Sequence, residues 1–177
     1  MTRDPSVHEA IAKIAGKSLV IFDADDTLRR TTVPGQPCPH ADGEWELMPG
    51  VREVLSRVPW NAAGGPRFAI ASNQDHVGYG LLSAAACERL LRDLAREATD
   101  GGVQEPLIAF CPHRVEDGCG CRKPAPGLLL ALLSRAGVNA ESALFVGNAE
   151  SDAKAAYAAG VPFCLACELF ATPPHPE

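Results

Sequence analysis

An apolar run, Leu19-Val20-Ile21-Phe22, leads directly into Asp23-Ala24-Asp25-Asp26-Thr27-Leu28. Three carboxylates at the tip of a buried strand are costly to desolvate unless a cation or a reaction uses them. The bland reading of a bare Asp-x-Asp is a solvated acidic turn, but the apolar strand before it and Thr27-Leu28 behind it tighten the pattern into a candidate metal-assisted site. A second constellation, Cys111-Pro112-His113, five residues, then Cys119-Gly120-Cys121, offers four soft or borderline donors within eleven residues. That closes a tetrahedral Cys₃His set with no open position, the signature of structural zinc. Scattered structural thiols do not explain two x-separated pairs in a loop that also holds Gly118 and Gly120.

Three further segments could add to the acidic site. Ser72-Asn73-Gln74 follows an apolar run and alone would be only a turn. Arg122-Lys123-Pro124 begins immediately after the last zinc ligand, where a lone lysine would ordinarily be a solvated surface residue. Val146-Gly147-Asn148-Ala149-Glu150-Ser151-Asp152 ends another apolar run, and its Asn148 and Asp152, four apart, share a helix face.

Five short apolar runs, Ser18 to Phe22, Phe68 to Ala71, Leu107 to Phe110, Ala143 to Val146 and Pro162 to Ala166, lack alternation and predict strands buried on both faces. Helical patterns lie around them: near Ser6 to Ala15, Pro49 to Arg57, Ser83 to Ala98 with Ser83 as N-cap, Pro126 to Ala136 ended by Gly137, and Ala149 to Ala159 ended by Gly160. Alternation of this kind predicts a three-layer α/β/α, Rossmann-like domain with a mainly parallel sheet and its ligand at the carboxyl ends of the strands, where the motifs fall. Arg29 to Leu47 and Asn61 to Pro66 read as loops, and the tail from Ala171 to Glu177 as loose.

With 177 residues and 46% hydrophobic content, the chain can bury one sizeable core, so residues 1–177 are expected to form a single domain. A formal charge of -6 gives no general pull toward nucleic acid or anionic membrane. Met1 to Lys17 lacks the apolar core of a secretory signal and no later run reaches membrane-spanning length, so the expected address is the cytoplasm. Seven cysteines cannot pair completely within one chain. Cys38, Cys87, Cys164 and Cys167 are read as small apolar residues; Cys38-Pro39-His40 echoes the later Cys-Pro-His, but no second ligand pair follows at short range.

The four acidic, hydroxyl, lysine and Asn/Asp segments together resemble the motifs of the haloacid dehalogenase superfamily, from Ser18 to about Ala166. The resemblance implies that Asp23 attacks phosphorus and that Asp25 protonates the leaving oxygen and then deprotonates water. It implies a site in which Thr27, Ser72, Asn73, Gln74 and Arg122 serve phosphate or substrate and Lys123 offsets transferred charge. Mg²⁺ would be held by Asp23, the main-chain carbonyl of Asp25, Asn148 and Asp152, and Zn²⁺ by Cys111, His113, Cys119 and Cys121. Crowding by other carboxylates is expected around Asp25. Asn148 departs from the usual Asp, which removes a charge from the magnesium site. Asp26 stands where many members have Gly.

The zinc pattern resembles the capless subgroup of D,D-heptose 1,7-bisphosphate and histidinol phosphatases. Its short loop and Asn73-Gln74-Asp75 lean toward the histidinol side, and the heptose enzymes' arginine near Tyr79 is missing. The implied partner is a small phosphorylated metabolite selected by loops 29–48 and 75–80. Two other readings stay open. Glu44 to Val51 resembles the related polynucleotide 3′-phosphatases, and Asn148 leaves room for a non-catalytic, zinc-stabilised binding module. Oligomeric state is not readable from the sequence.

Overall fold

A computed structural model describes residues 5–170, so the tail expected to be loose lies outside the described residues. In chain order the elements are α1 (Pro5–Ala15), β1 (Leu19–Phe22), β2 (Arg29–Thr31), β3 (Trp45–Leu47), α2 (Val51–Leu55), β4 (Arg67–Asn73), α3 (Ala84–Ala98), β5 (Leu107–Cys111), α4 (Gly127–Ala136), β6 (Ala143–Gly147), α5 (Glu150–Ala159), β7 (Phe163–Leu165) and α6 (Ala166–Leu169). Five strands form one parallel sheet in the order β5-β4-β1-β6-β7. The chain leaves β1 for β4 on one side and later returns to β6 on the other. The crevice for a ligand therefore opens beyond the carboxyl end of β1, at this reversal of strand order.

Continuous apolar strands are explained by cover on both faces. Val20 and Phe22 of β1 join Phe68, Ile70, Leu144 and Val146 in a core beneath α1, α2 and α3, whereas Leu19 and Ile21 join Ala69, Phe145 and the Leu128-Leu129-Leu132 stripe of α4. Phe22 stacks on Phe68 with ring centroids 5.0 Å apart, and Trp60 meets Phe68 edge-on at 5.1 Å. Truncating a ring in such a cluster costs about 3–5 kcal/mol, so the strand that presents Asp23 is held from below.

Helix ends follow the expected chemistry. Ser83 caps α3, its Oγ accepting from Ala86 N at 3.1 Å, and Gly137 and Gly160 end α4 and α5 in the left-handed region. The stretch 29–47 departs from expectation. It is not a plain loop, because β2 and β3 pair antiparallel, Arg29 opposite Leu47 and Thr31 opposite Trp45. Each strand is three residues long, Arg-Arg-Thr and Trp-Glu-Leu, too short to show a period. Pro162 to Ala166 is shorter as a strand than expected, since Ala166 already opens α6. No helix among the described residues is long and apolar enough to cross a membrane.

Candidate active site

Asp23 leaves β1 between the ends of β4 and β6, and an open cavity of about 230 Å³ is lined there by Asp23, Asp25, Ser72, Lys123, Asn148 and Asp152, with Asp26, Asn73, Ala149 and Ser151 completing the wall. Lys123 is the hub. Its Nζ donates to Asp23 Oδ1 at 2.6 Å and to Ala71 O at 3.0 Å, and it lies 2.7 Å from Asp152 Oδ1. All three charged groups are buried, so each would be expensive without the others. A bidentate clamp places the lysine: Asn73 Oδ1 accepts from Lys123 N at 3.0 Å and Asn73 Nδ2 donates to Lys123 O at 3.1 Å. Asn73 thus spends its amide on the Lys123 main chain.

Thr27 and Gln74, expected to serve substrate, sit fully buried behind the cavity wall. Thr27 Oγ1 lies 3.3 Å from Asp23 Oδ2 and 3.1 Å from Asn148 Oδ1, linking the ends of β1 and β6. Gln74 Nε2 donates to Asp25 Oδ2 at 2.7 Å and to Ser72 Oγ at 2.9 Å. A serine hydroxyl has one hydrogen, and with Gln74 occupying a lone pair that hydrogen is left for an acceptor in the cavity. Arg122 is outside the lining and faces Asp75, 3.7 Å away.

Asp25 shares the cavity with the carboxylates of Asp23, Asp26 and Asp152 expected around it, but the groups bonded to it are others. Its second oxygen accepts from Arg29 Nε at 2.9 Å, an arginine only 1% exposed whose ring neighbour is Trp45. Sequence reasoning missed Arg29 by assigning it to a loop; its spacing of four from Asp25 was the available signal. Asp26 has φ 60, the left-handed region that Gly enters freely and Asp tolerates, which accounts for the residue type at this turn.

Burial raises the Asp23 carboxyl from 3.8 to about 7, with Lys123 opposing the rise and Asp152 adding to it. The folded value lies above the unfolded one, so this group's contribution is present below about pH 4 and is lost as pH rises through about 7. In buffer without divalent cations, the melting temperature of the wild type relative to Asp23→Asn is therefore expected to fall as pH is raised from about 4 to about 7. Parallel curves for the two proteins in thermal scans would refute this assignment.

The oxygens fit a hard divalent cation. Asp152 Oδ2 accepts from Asn148 N at 3.2 Å and Ala149 N at 3.1 Å, and its buried Oδ1 faces Lys123 Nζ at 2.7 Å. Gly147 keeps this carboxylate in place: a Cβ there would lie 2.5 Å from Asp152 Oδ2. Asn148 lines the same wall, so Asp23, Asn148 and Asp152 present an all-oxygen set of the kind magnesium takes.

The Cys/His cluster also forms. Cys111 Sγ lies 3.6 Å from His113 Nδ1 and 3.4 Å from Cys119 Sγ, and Cys121 Sγ lies 3.2 Å from His113 Nδ1 and 3.4 Å from Cys119 Sγ. These approach the edges of a zinc tetrahedron, roughly 3.5–3.8 Å for zinc to ligand distances near 2.0–2.3 Å. Burial pushes the Cys111 thiol up to about 12. Desolvation also raises Cys119, but the Arg122 N–H and the neighbouring thiols outweigh it and bring it down to about 6. The loop is wedged on the start of α4, where a Cβ on Gly127 would lie 2.5 Å from Gly120 O.

The sequence model of the haloacid dehalogenase-like hydrolases matches residues 36–160. The D-glycero-beta-D-manno-heptose-1,7-bisphosphate 7-phosphatase of Pseudomonas putida is 32% identical over 66% of this chain and 65% of its own length. The D-glycero-alpha-D-manno-heptose-1,7-bisphosphate 7-phosphatase of Mycobacterium tuberculosis is 33% identical over 71% of this chain and 64% of its own. The chain thus spans just under two thirds of the length of these curated relatives. The crystal structure of D,D-heptose 1,7-bisphosphate phosphatase from B. bronchiseptica, complexed with magnesium and phosphate, superposes with a TM-score of 0.71 at 27% identity, covering 84% of this chain and 79% of that one. Matched along most of its length, and with Asp23, Ser72, Lys123 and Asp152 gathered beyond one strand end, this chain belongs to the haloacid dehalogenase-like hydrolase family.

Proposed function

We propose that the chain is a phosphatase for a small phosphorylated sugar and that it works through a phosphoryl group carried on Asp23. One observation supports this most: a buried carboxylate, Asp23, shares a cavity with Ser72, Lys123 and Asp152 and is bonded to the lysine at 2.6 Å. When bound to Asp23, the main-chain carbonyl of Asp25, Asn148 and Asp152, magnesium supplies positive charge to the phosphoryl oxygens. Everything else falls to the chain. Ser72 and Lys123 orient the phosphoryl group, and Lys123 offsets the charge that builds as an Asp23 oxygen bonds to phosphorus and the ester bond breaks. Asp25, held by Arg29 and Gln74, gives a proton to the departing oxygen. It then takes one from the water that attacks phosphorus, which releases phosphate and returns the Asp23 carboxylate.

The substrate class follows the relatives. Both of those named above, and the structural neighbour, act on a heptose bisphosphate, so a sugar bisphosphate takes precedence over histidinol phosphate despite the lean of the short zinc loop. Loops 29–48 and 75–80 do the selecting, the latter without the arginine near Tyr79 of the heptose enzymes, and Cys111, His113, Cys119 and Cys121 hold a structural zinc. A panel of α- and β-heptose 1,7-bisphosphate, histidinol phosphate and a 3′-phosphorylated oligonucleotide tests the reading. Magnesium-dependent release fastest from a heptose bisphosphate is expected. Preference for the oligonucleotide, or no release from any member, would contradict it.

A further inference from the structure

Across the Gln74–Gly80 loop from the first Cys/His cluster lies a second one: Cys38, His40 and His76 bring one donor atom each within 4.8 Å of one another. Cys38 is buried but belongs to neither of the two packed apolar clusters. The two imidazoles are half-buried and approach nitrogen to nitrogen, His40 Nε2 toward His76 Nδ1, with the sulfur beside them. A hydrogen bond between the rings would account for the histidines alone and leaves the thiol unassigned.

The main chain around these donors is fixed by the side chains of Glu44 and Gln36. Glu44 Oε2 accepts from His40 N at 2.8 Å, Ala41 N at 3.1 Å and Gln36 Nε2 at 3.0 Å, and the same Gln36 nitrogen donates to Cys38 O at 2.8 Å. Such outer support is what orients ligands at a metal centre. On the opposite side the loop that carries His76 is locked to the first cluster. Gln74 N donates to Cys111 O at 2.8 Å, Arg114 Nε to Gly78 O at 3.0 Å, and the Tyr79 hydroxyl to Glu116 Oε2 at 2.8 Å. A Cβ on Gly78 would lie 2.6 Å from Pro112 O, so the two loops are in backbone contact.

We propose that Cys38, His40 and His76 form a second zinc site that fastens the 36–44 loop to the 74–80 loop. One thiolate and two imidazoles suit zinc and exclude magnesium, which takes oxygen donors. Three protein ligands leave a fourth position for water or a substrate oxygen. The site joins the two loops assigned to substrate selection, one of which directly follows Gln74, the donor to Asp25 and Ser72. The loop that holds Asp25 is thereby gripped between two metal centres.

The test is metal stoichiometry and needs no substrate, so it stands or falls apart from the phosphatase reading. The full chain, reloaded with excess zinc and freed of unbound metal, is measured by mass spectrometry beside Cys38→Ser and His76→Asn. Wild type is expected to hold a second equivalent, and each variant to lose about half of the bound zinc while keeping the first equivalent, which also reports that it has folded. Cobalt(II) loading supplies the other readout: the wild-type spectrum minus that of His76→Asn should show thiolate-to-metal charge transfer with visible bands of a four-coordinate site. Equal zinc in wild type and both variants, or a featureless cobalt difference spectrum, overturns the proposal. His40→Asn replaces either variant should it fail to retain the first equivalent, with the same two outcomes.

Discussion

Asp23→Asn is expected to release phosphate from the preferred substrate roughly 10⁴ to 10⁶ times more slowly than wild type, the scale seen when a catalytic nucleophile is removed. Asn has nearly the shape of Asp, so packing above the Phe22 cluster is kept, and Lys123 retains Asp152 at 2.7 Å. What disappears is the ionised oxygen that would bond to phosphorus. The substitution also removes a buried charge whose ionisation is opposed by burial, so loss of activity should come without loss of folding. Steady-state phosphate release and a thermal scan on the same preparation check both halves. Release within tenfold of wild type from a pure, folded variant would mean that another group attacks phosphorus.

The second large effect is on stability. Cys121→Ser is expected to abolish zinc binding at the first cluster and to lower unfolding stability by more than about 4 kcal/mol, because binding free energy at a structural zinc is folding free energy. Cys121 precedes Lys123 by two residues, and the clamp from Asn73 fixes that lysine only while the loop stays beside β4. Turnover should therefore fall even below the variant's melting temperature. Denaturant unfolding with zinc content measured in parallel is the check. A zinc-free Cys121→Ser protein with wild-type stability would show that packing of Gly127 on Gly120 holds the loop unaided.

Much of this architecture was legible in the residues because its signals are local. Leu19 to Phe22 is apolar at every position since both faces of β1 are covered, and Ser83, Gly137 and Gly160 end or begin helices by backbone chemistry that a sequence displays directly. The cysteines and histidine between Cys111 and Cys121 converge because they share one loop. What was hidden depends on pairing across distance. The β2–β3 hairpin is two three-residue strands separated by a long connection, and its pairing buries Arg29 against Asp25. Asn73 looked like a substrate contact, but the approach of Lys123 across a gap of fifty residues turns it into a main-chain clamp. Cys38 and His40 are separated by one residue in sequence, while His76, the third donor, arrives from another strand end.

The central claim concerns one covalent bond, and rapid acid quenching during turnover observes it. Wild-type protein mixed with excess substrate, quenched within a single turnover and digested, should yield a phosphorylated peptide containing Asp23, absent from Asp23→Asn and lost on mild base treatment as an acyl phosphate is. Full phosphate release with the Asp23 peptide unmodified at every quench time would contradict the account.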